Sequence, residues 1–505
     1  MKVIVKLVKN FNSPANLRSI VPNPFLTTRR HFLASAAASS AAIVGCGKSS
    51  DIVPTQTAAP EVRRDVPLRV LLCGDERWAE VLKMAWSAIA DQPLQISVFD
   101  PKTINADAWP TKVLEAMKAC DVAIVPIGLL PALDAASAIT PPTDDLFAQE
   151  ASTAKKFFPV LREGAMKFGG RTVAVPLGAV QPSLVLTSDG SAEDLEVPKD
   201  WEAYIAVAKK LNESRAGSSV EPVVAEPLTD GAAAQMFLWR ANSANPPVWL
   251  FDRVSFAPVI DTAPYVETLE LMKRCVELYG SARLNAGDVW SRVATGKLRM
   301  AIAWPATHST TERIEEAVNC AFAPLPVALS ASTSTEKWRP TQTLVSAESP
   351  VAIISSQCRQ SIAAKRFLNW MVGGDGTSMV RSVVTGLTDL RRSREPNRAA
   401  SNTSASEGDS FAKSPDNEVE ESGISSYGSV LAKSLSSLSM RTPLQVLEYR
   451  KYAESLDAAV LSCLDGKQSA QDSLTNAAKK WTELTDKIGI KEQSKAWRKA
   501  QGLRS

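Results

Sequence analysis

Histidine is scarce in this 505-residue chain, which has only His31 and His308. A multi-histidine zinc centre needs more, and a Ser-His-Asp hydrolase would have to run through His308 alone. Cysteine is also sparse, with seven residues at 46, 73, 120, 275, 320, 358 and 463 and neither a CxxC nor a CxxCH pattern. That spacing excludes zinc ribbons, thioredoxin-type redox motifs and covalent haem attachment. Cys73 and Cys120 lie beside predicted buried strands, where a small apolar thiol is the expected state, and no disulfide pairing follows. Acidic residues are missing from positions 1–45, which carry Lys2, Lys6, Lys9, Arg18, Arg29 and Arg30. Of an overall net charge of +3, the rest of the chain is therefore left at −3. A body without a basic footprint does not neutralise phosphates, so nucleic acid is excluded as a partner. Past the leader no run approaches eighteen uninterrupted apolar residues, which leaves the body in water.

What is present fits a folded chain of two or three domains. Hydrophobic residues make up 45% and charged residues 22%, close to globular averages, which rules out a wholly disordered or fibrous chain. The leader has its own pattern. Arg29-Arg30 precede a moderately apolar run that ends Ile43-Val44-Gly45-Cys46. This is similar to a twin-arginine export signal (Arg29, Arg30) that closes on a lipobox, with Cys46 as the lipidated first residue of the mature protein. Acyl chains on that cysteine would hold a soluble domain on a membrane face. Residues 47–65, rich in Pro, Thr and Ala without apolar periodicity, read as a flexible tether.

The body starts near Val66. Leu68-Arg-Val-Leu-Leu-Cys73 reads as a buried strand, and Trp78, Val81, Leu82, Ala85, Trp86 and Ile89 then recur at helical spacing. Leu94, Ile96 and Val98 alternate as a second strand, Val113, Leu114 and Met117 mark a second helix, and Asp121–Pro126 a third strand. This β-α-β-α-β order predicts a parallel sheet with crossover helices. Ligands bind at the carboxyl ends of such strands, which singles out the loops at 74–77 and 127–129. Val173–Pro176 and Leu184–Leu186 read as strands around a Gly and Pro bend that carries the chain into another lobe. Asp200 is the predicted N-cap of a helix with Trp201, Tyr204, Ile205, Ala208 and Leu211 inward. Leu298–Ala303 forms a strand ending in Trp304-Pro305, Val351–Ile354 another, and two final helices span about 443–465 and 468–488. Residues 391–426, rich in Ser, Asn, Glu and Arg, read as a mobile surface insertion.

Several segments in order resemble the bacterial extracellular solute-binding proteins, the group that includes the sugar-binding components of ABC importers. They are Asp121-Val-Ala-Ile-Val-Pro-Ile-Gly128, Phe158-Pro-Val-Leu-Arg-Glu-Gly164, Gly169-Gly-Arg-Thr-Val-Ala-Val-Pro176, Val197-Pro-Lys-Asp-Trp201, Ala294-Thr-Gly-Lys-Leu-Arg-Met-Ala-Ile-Ala-Trp304, Ala363-Ala-Lys-Arg-Phe-Leu-Asn-Trp370 and Ala477-Ala-Lys-Lys-Trp481. The resemblance spans about 66–490. It implies an α/β fold of two lobes, the type II periplasmic-binding-protein-like arrangement, with a ligand cleft between them. The implied division is lobe 1 at 66–178 and 326–390, lobe 2 at 179–325, and C-terminal helices at 427–490 on lobe 2 or the hinge. It also implies a small solute, a sugar by preference, delivered to ABC permease subunits without catalysis, cofactor or metal.

A sugar site needs aromatic faces for the apolar side of the ring, with acids, amides and arginine for the hydroxyls. Trp304, at the end of a strand, and Trp239, on a helix with Arg240 and Asn242, are the aromatic candidates; core packing is the competing reading of each. Asp75, on the loop after the first strand, is the acidic candidate and also a helix cap. Gln181 and Ser183 flank the presumed crossing as ligand, hinge or turn residues. His308 reads as an ordinary loop residue. A solute-sensing receptor of the same fold and a secreted carbohydrate-active enzyme are the alternatives; Asp75 and Glu76 lie too close together to bracket a glycosidic bond.

Overall fold

The continuous apolar run at the start of the body forms β1 (Leu68–Cys73), whose side chains are almost all buried, as a strand covered on both faces requires. Beside it run β2 (Leu94–Phe99) and β3 (Val122–Pro126), both parallel to β1. The helices Glu76–Ser87 and Trp109–Met117 supply the crossovers. The first buries Trp78, Leu82, Ala85 and Trp86, as the spacing predicted, and Ala79 besides, while Val81 is half-buried; it stops at Ser87, and Ile89 lies beyond it and exposed. Asp121, just before β3, is fully buried and accepts from Arg69 Nε at 2.9 Å, from Arg69 Nη2 at 2.8 Å and from the Arg359 amide at 2.8 Å.

The computed structural model describes residues 65–101, 103–142, 157–179, 181–187, 197–214, 221–243, 249–304, 320–327, 343–373, 427–437 and 440–503. These belong to one unit, Val62–Ser505. Arg29, Arg30, Cys46, the tether up to residue 64, His308 and the 391–426 segment lie outside the described residues.

After the helix Leu130–Ala135 come β4 (Ile139–Thr140), the helix Pro159–Gly164, a hairpin of β5 (Lys167–Phe168) and β6 (Arg171–Thr172), and β7 (Val175–Pro176). The chain then changes sheet. A four-stranded sheet holds β8 (Ser183–Thr187), β9 (Val224–Ala225), β10 (Met300–Ala303) and β11 (Cys320–Ala323), in the order β11-β8-β10-β9. Around it lie the helices Trp201–Glu213, Ala232–Asn242, Ala263–Val276 and Ala286–Ala294. Asp200 caps the first of them, its side chain accepting from the Ala203 amide at 2.8 Å, as expected. Next come β12 (Thr343–Leu344) and β13 (Pro350–Ser355), which returns to the first sheet. That sheet is ordered β2-β1-β3-β13-β4, with β7 also on β13. Its first three strands are parallel, as predicted, whereas β13 runs antiparallel to β3, β4 and β7. The helix Ser361–Gly373 brings Phe367 and Trp370 edge-on against Trp86, with centroids 5.3 and 5.2 Å away.

The last part contains the helix Tyr427–Leu435, β14 (Met440–Arg441) and three helices, Tyr449–Leu464, Ala470–Ile488 and Ile490–Ala500. The expected helix at 443–465 starts later, because Leu444 and Glu448 have φ of 59° and 54°, outside the right-handed helical region. The third helix escaped the sequence reading: only Gln493, Ala496 and Trp497 of its eleven residues are buried. The Tyr449–Leu464 helix packs on the Ala232–Asn242 and Ala263–Val276 helices of the second lobe. Phe251 stacks against Phe256 and Trp481 and is a core side chain.

Candidate functional site

Connections between the two sheets converge on the short parallel pair of β12 and β14, in the register Thr343↔Met440 and Leu344↔Arg441. The crossing between β7 and β8 runs beside it. Leu177 donates its amide to Pro350 O at 3.0 Å, and Gln181 donates from Nε2 to Leu344 O at 2.8 Å. Trp239 reaches the same carbonyl from the second lobe, Nε1 to Leu344 O at 3.1 Å. Trp304, at the carboxyl end of β10, packs edge to face on Trp239 with centroids 5.7 Å apart. Tyr427 Oη donates to Gln181 O at 3.0 Å and closes the group from the Tyr427–Leu435 helix. Ser183 is fully buried, and its Oγ donates to Ala303 O at 3.0 Å, fastening β8 to β10 next to Trp304.

Three of the sequence-selected residues, Gln181, Trp239 and Trp304, thus meet at the crossing. They are also mostly buried, at 6%, 5% and 7% exposure, so each has a packing role there. Asp75 stands apart, on the exposed loop after β1, where its carboxylate accepts from the Trp78 amide at 2.8 Å and caps the Glu76–Ser87 helix.

Arg240 is corrected by the structure. Its guanidinium turns into the second lobe, forms an ion pair with Glu226 and lies 4.5 Å from the Trp201 ring centroid. Both charged side chains are essentially inaccessible. Burial pushes the Glu226 carboxyl up and the charge of Arg240 opposes that rise. Such a pair belongs to the interior and offers nothing to a solute in a cleft.

A second cluster at the carboxyl edge of the first sheet went unselected. Trp109, Glu348, Tyr449 and Arg450 assemble there: the Arg450 Cζ lies 3.8 Å from the Trp109 ring centroid, and its Nη2 is 3.0 Å from Glu348 Oε2. The rule that placed Asp75 on a strand-end loop applies equally to the segment after β2, which contains Trp109, and would have found this side of the cluster. The described cysteines are all free thiols; burial pushes Cys120 up to about 12. No helix among the described residues is long and apolar enough to cross a membrane.

Two sheets joined at a common crossing and a C-terminal helical bundle packed on the second give the geometry. Residues 104–399, more than half of the chain, match the family of bacterial extracellular solute-binding proteins. The chain belongs to that family. It is a family of binding proteins, not of enzymes. No curated protein sequence matches the chain. Solved structures of the same fold include an ABC transporter solute-binding protein from Agrobacterium radiobacter K84 in complex with ribitol, at 18% identity and a TM-score of 0.59, covering 83% of this chain and 98% of that one. The sugar-binding protein MalE from Xanthomonas citri aligns at 14% identity and a TM-score of 0.58, covering 84% of this chain and 98% of that one. Maltose-bound MalE3 of T. maritima aligns at 17% identity and 0.57, covering 83% of this chain and all (100%) of that one. These likenesses show the two-lobed α/β fold.

Proposed function

We propose that this protein is the extracytoplasmic receptor of an ABC importer, lipid-anchored at Cys46 after export, which captures a small sugar or polyol and hands it on without chemical change. The observation that carries the reading is family membership across both lobes, residues 104–399. Two relatives of the same fold hold ribitol and maltose, which supports a polyhydroxylated solute. In this reading the β12 and β14 crossing is the hinge, the lobes close on the solute, and the closed form is what the permease recognises. Trp304 and Trp239 offer aromatic edges at the hinge end of the cleft, Gln181 an amide, and Asp75 a carboxylate from the first lobe. Arg240 has no part in it.

The test is a thermal-shift screen of the soluble body against ribitol, maltose, monosaccharides, other polyols and amino acids. A ligand at a hundredfold excess over its Kd stabilises by about 2.7 kcal/mol, enough for a clear rise in Tm. A response to amino acids alone would overturn the sugar assignment while leaving the receptor reading in place; no response to any class would overturn both. The anchor has its own check. Mass spectrometry of the mature N-terminus should find an acylated cysteine, and Cys46→Ser should release the protein from the membrane.

A further inference from the structure

The Tyr449–Leu464 helix touches both lobes. Its body belongs to the second lobe, where the Asp457 carboxylate accepts from the Ala234 amide at 2.9 Å and so caps the Ala232–Asn242 helix from outside. Its first turn belongs to the edge of the first lobe. There Arg450 donates from Nη1 to Pro101 O at 3.1 Å and from Nη2 and Nε to the two Glu348 oxygens at 3.0 and 3.3 Å, and it stacks on Trp109. Tyr449 Oη donates to Glu348 Oε1 at 2.9 Å. The Tyr449 ring lies so close over Gly128 that a Cβ there would sit 2.8 Å from it, which explains why glycine follows β3. Lys451 adds an ion pair with Asp107 at 2.7 Å.

We infer that this first turn is an interlobe clasp, with the Arg450–Glu348 pair as its decisive contact, holding the second lobe's bundle to the carboxyl edge of the first without any solute. The inference rests on reading the two lobes as bodies that move relative to each other. An exposed ion pair contributes little, but the Arg450 side chain is only 11% exposed, binds a carboxylate through two nitrogens and covers an indole face. The partners on the first lobe come from the segment after β2, the turn after β3 and the residues before β13, so the turn engages the edge where a solute would enter. Arg450 therefore acts as a positioning residue on the population of closed protein. Lys499, paired with Asp134 at 2.7 Å, ties the last helix to the first lobe at a separate point and lacks the two-nitrogen geometry.

Double electron–electron resonance on the solute-free full chain tests this, with spin labels carried on non-canonical amino acids at Glu80 in the first lobe and Lys209 in the second, both exposed. The parent should give one short, narrow distance. Arg450→Ala should shift the distribution to longer distances and broaden it, and the exchange pair Glu348→Arg with Arg450→Glu should shift it back. If Arg450→Ala does not fold, Glu348→Gln should give the same shift in its place. A parental distribution in the single variants, or an exchange pair no different from Arg450→Ala, would overturn the clasp. No solute enters the measurement, so failure of the sugar reading and failure of the clasp are told apart.

Discussion

Gln181 and Trp239 donate to one acceptor, the carbonyl oxygen of Leu344, at 2.8 and 3.1 Å. One comes from the crossing between the sheets and the other from a second-lobe helix, so a single peptide group in β12 fixes both to that strand. Trp304 rests edge-on against the same indole. The three candidates therefore have structural work whether or not a solute touches them, and substitutions must be read on two scales. Trp239→Phe keeps an aromatic ring but removes the donor and part of the indole volume, and should cost about 1–3 kcal/mol in urea unfolding. Trp304→Ala removes a buried ring and should cost about 3–5 kcal/mol. If Trp304 also faces solute, calorimetry with the sugar found by screening should show a further loss of about 1–3 kcal/mol in affinity. Unchanged affinity in a folded variant would assign the residue to packing.

The buried pair predicts an asymmetry. Arg240→Met leaves Glu226 without its partner in the interior and should cost about 3–5 kcal/mol. Adding Glu226→Leu should recover most of that, because an apolar pair of similar volume needs no desolvation. Denaturant unfolding of the two single variants and the double variant measures it. Equal destabilisation by the single and double variants would show that Arg240 acts through its stacking on Trp201 instead.

Arg240 also shows where the sequence stopped being informative. Trp239 and Arg240 are neighbours on a helix and point about 100° apart, and here the indole turns to the crossing while the guanidinium turns into the lobe. The Ala232–Asn242 helix is buried almost all round, so no amphipathic stripe marks which direction is the cleft. Caps were legible, as at Asp75 and Asp200, because an Asx side chain before an apolar period is a local signal. The parallel β1 to β3 order was legible from the helices between the strands. The antiparallel return of β13 was not, since it depends on where the chain comes back from the second lobe. The clasp was invisible for the same reason: Glu348 and Arg450 are about a hundred residues apart and neither carries a motif.

Acid should weaken the first lobe through Asp121. Burial opposes the charge of its carboxylate, but bonds from Arg69 and from the Arg359 amide outweigh that and hold it below the usual carboxylate range. A depressed folded value means that the stabilisation is complete above about pH 4, the ordinary aspartate range, and is lost as pH falls through the folded value. Asp121→Asn should cost about 2–3 kcal/mol at pH 7 and flatten the acid limb of the stability curve. Parallel acid limbs in the variant and the parent would place that titration elsewhere.

Asp457 should behave with the opposite sign. Burial pushes its carboxyl up, and the Ala234 and Ala233 amides only partly offset that. A raised folded value favours the protonated form in the native state, so the contribution is present below the ordinary aspartate value and is lost as pH rises through the folded one. Asparagine keeps an oxygen for the Ala234 amide and carries no charge to desolvate. Asp457→Asn should therefore gain stability relative to the parent between pH 4 and pH 7. Asp457→Ala, which deletes the cap, should lose about 0.5–2 kcal/mol at the acid end of that range. Urea unfolding of the three proteins at several pH values measures both effects. If Asp457→Asn instead loses ground to the parent as pH rises, the carboxylate is stabilised by the helix amides more than it is penalised by burial, and the cap works through its charge.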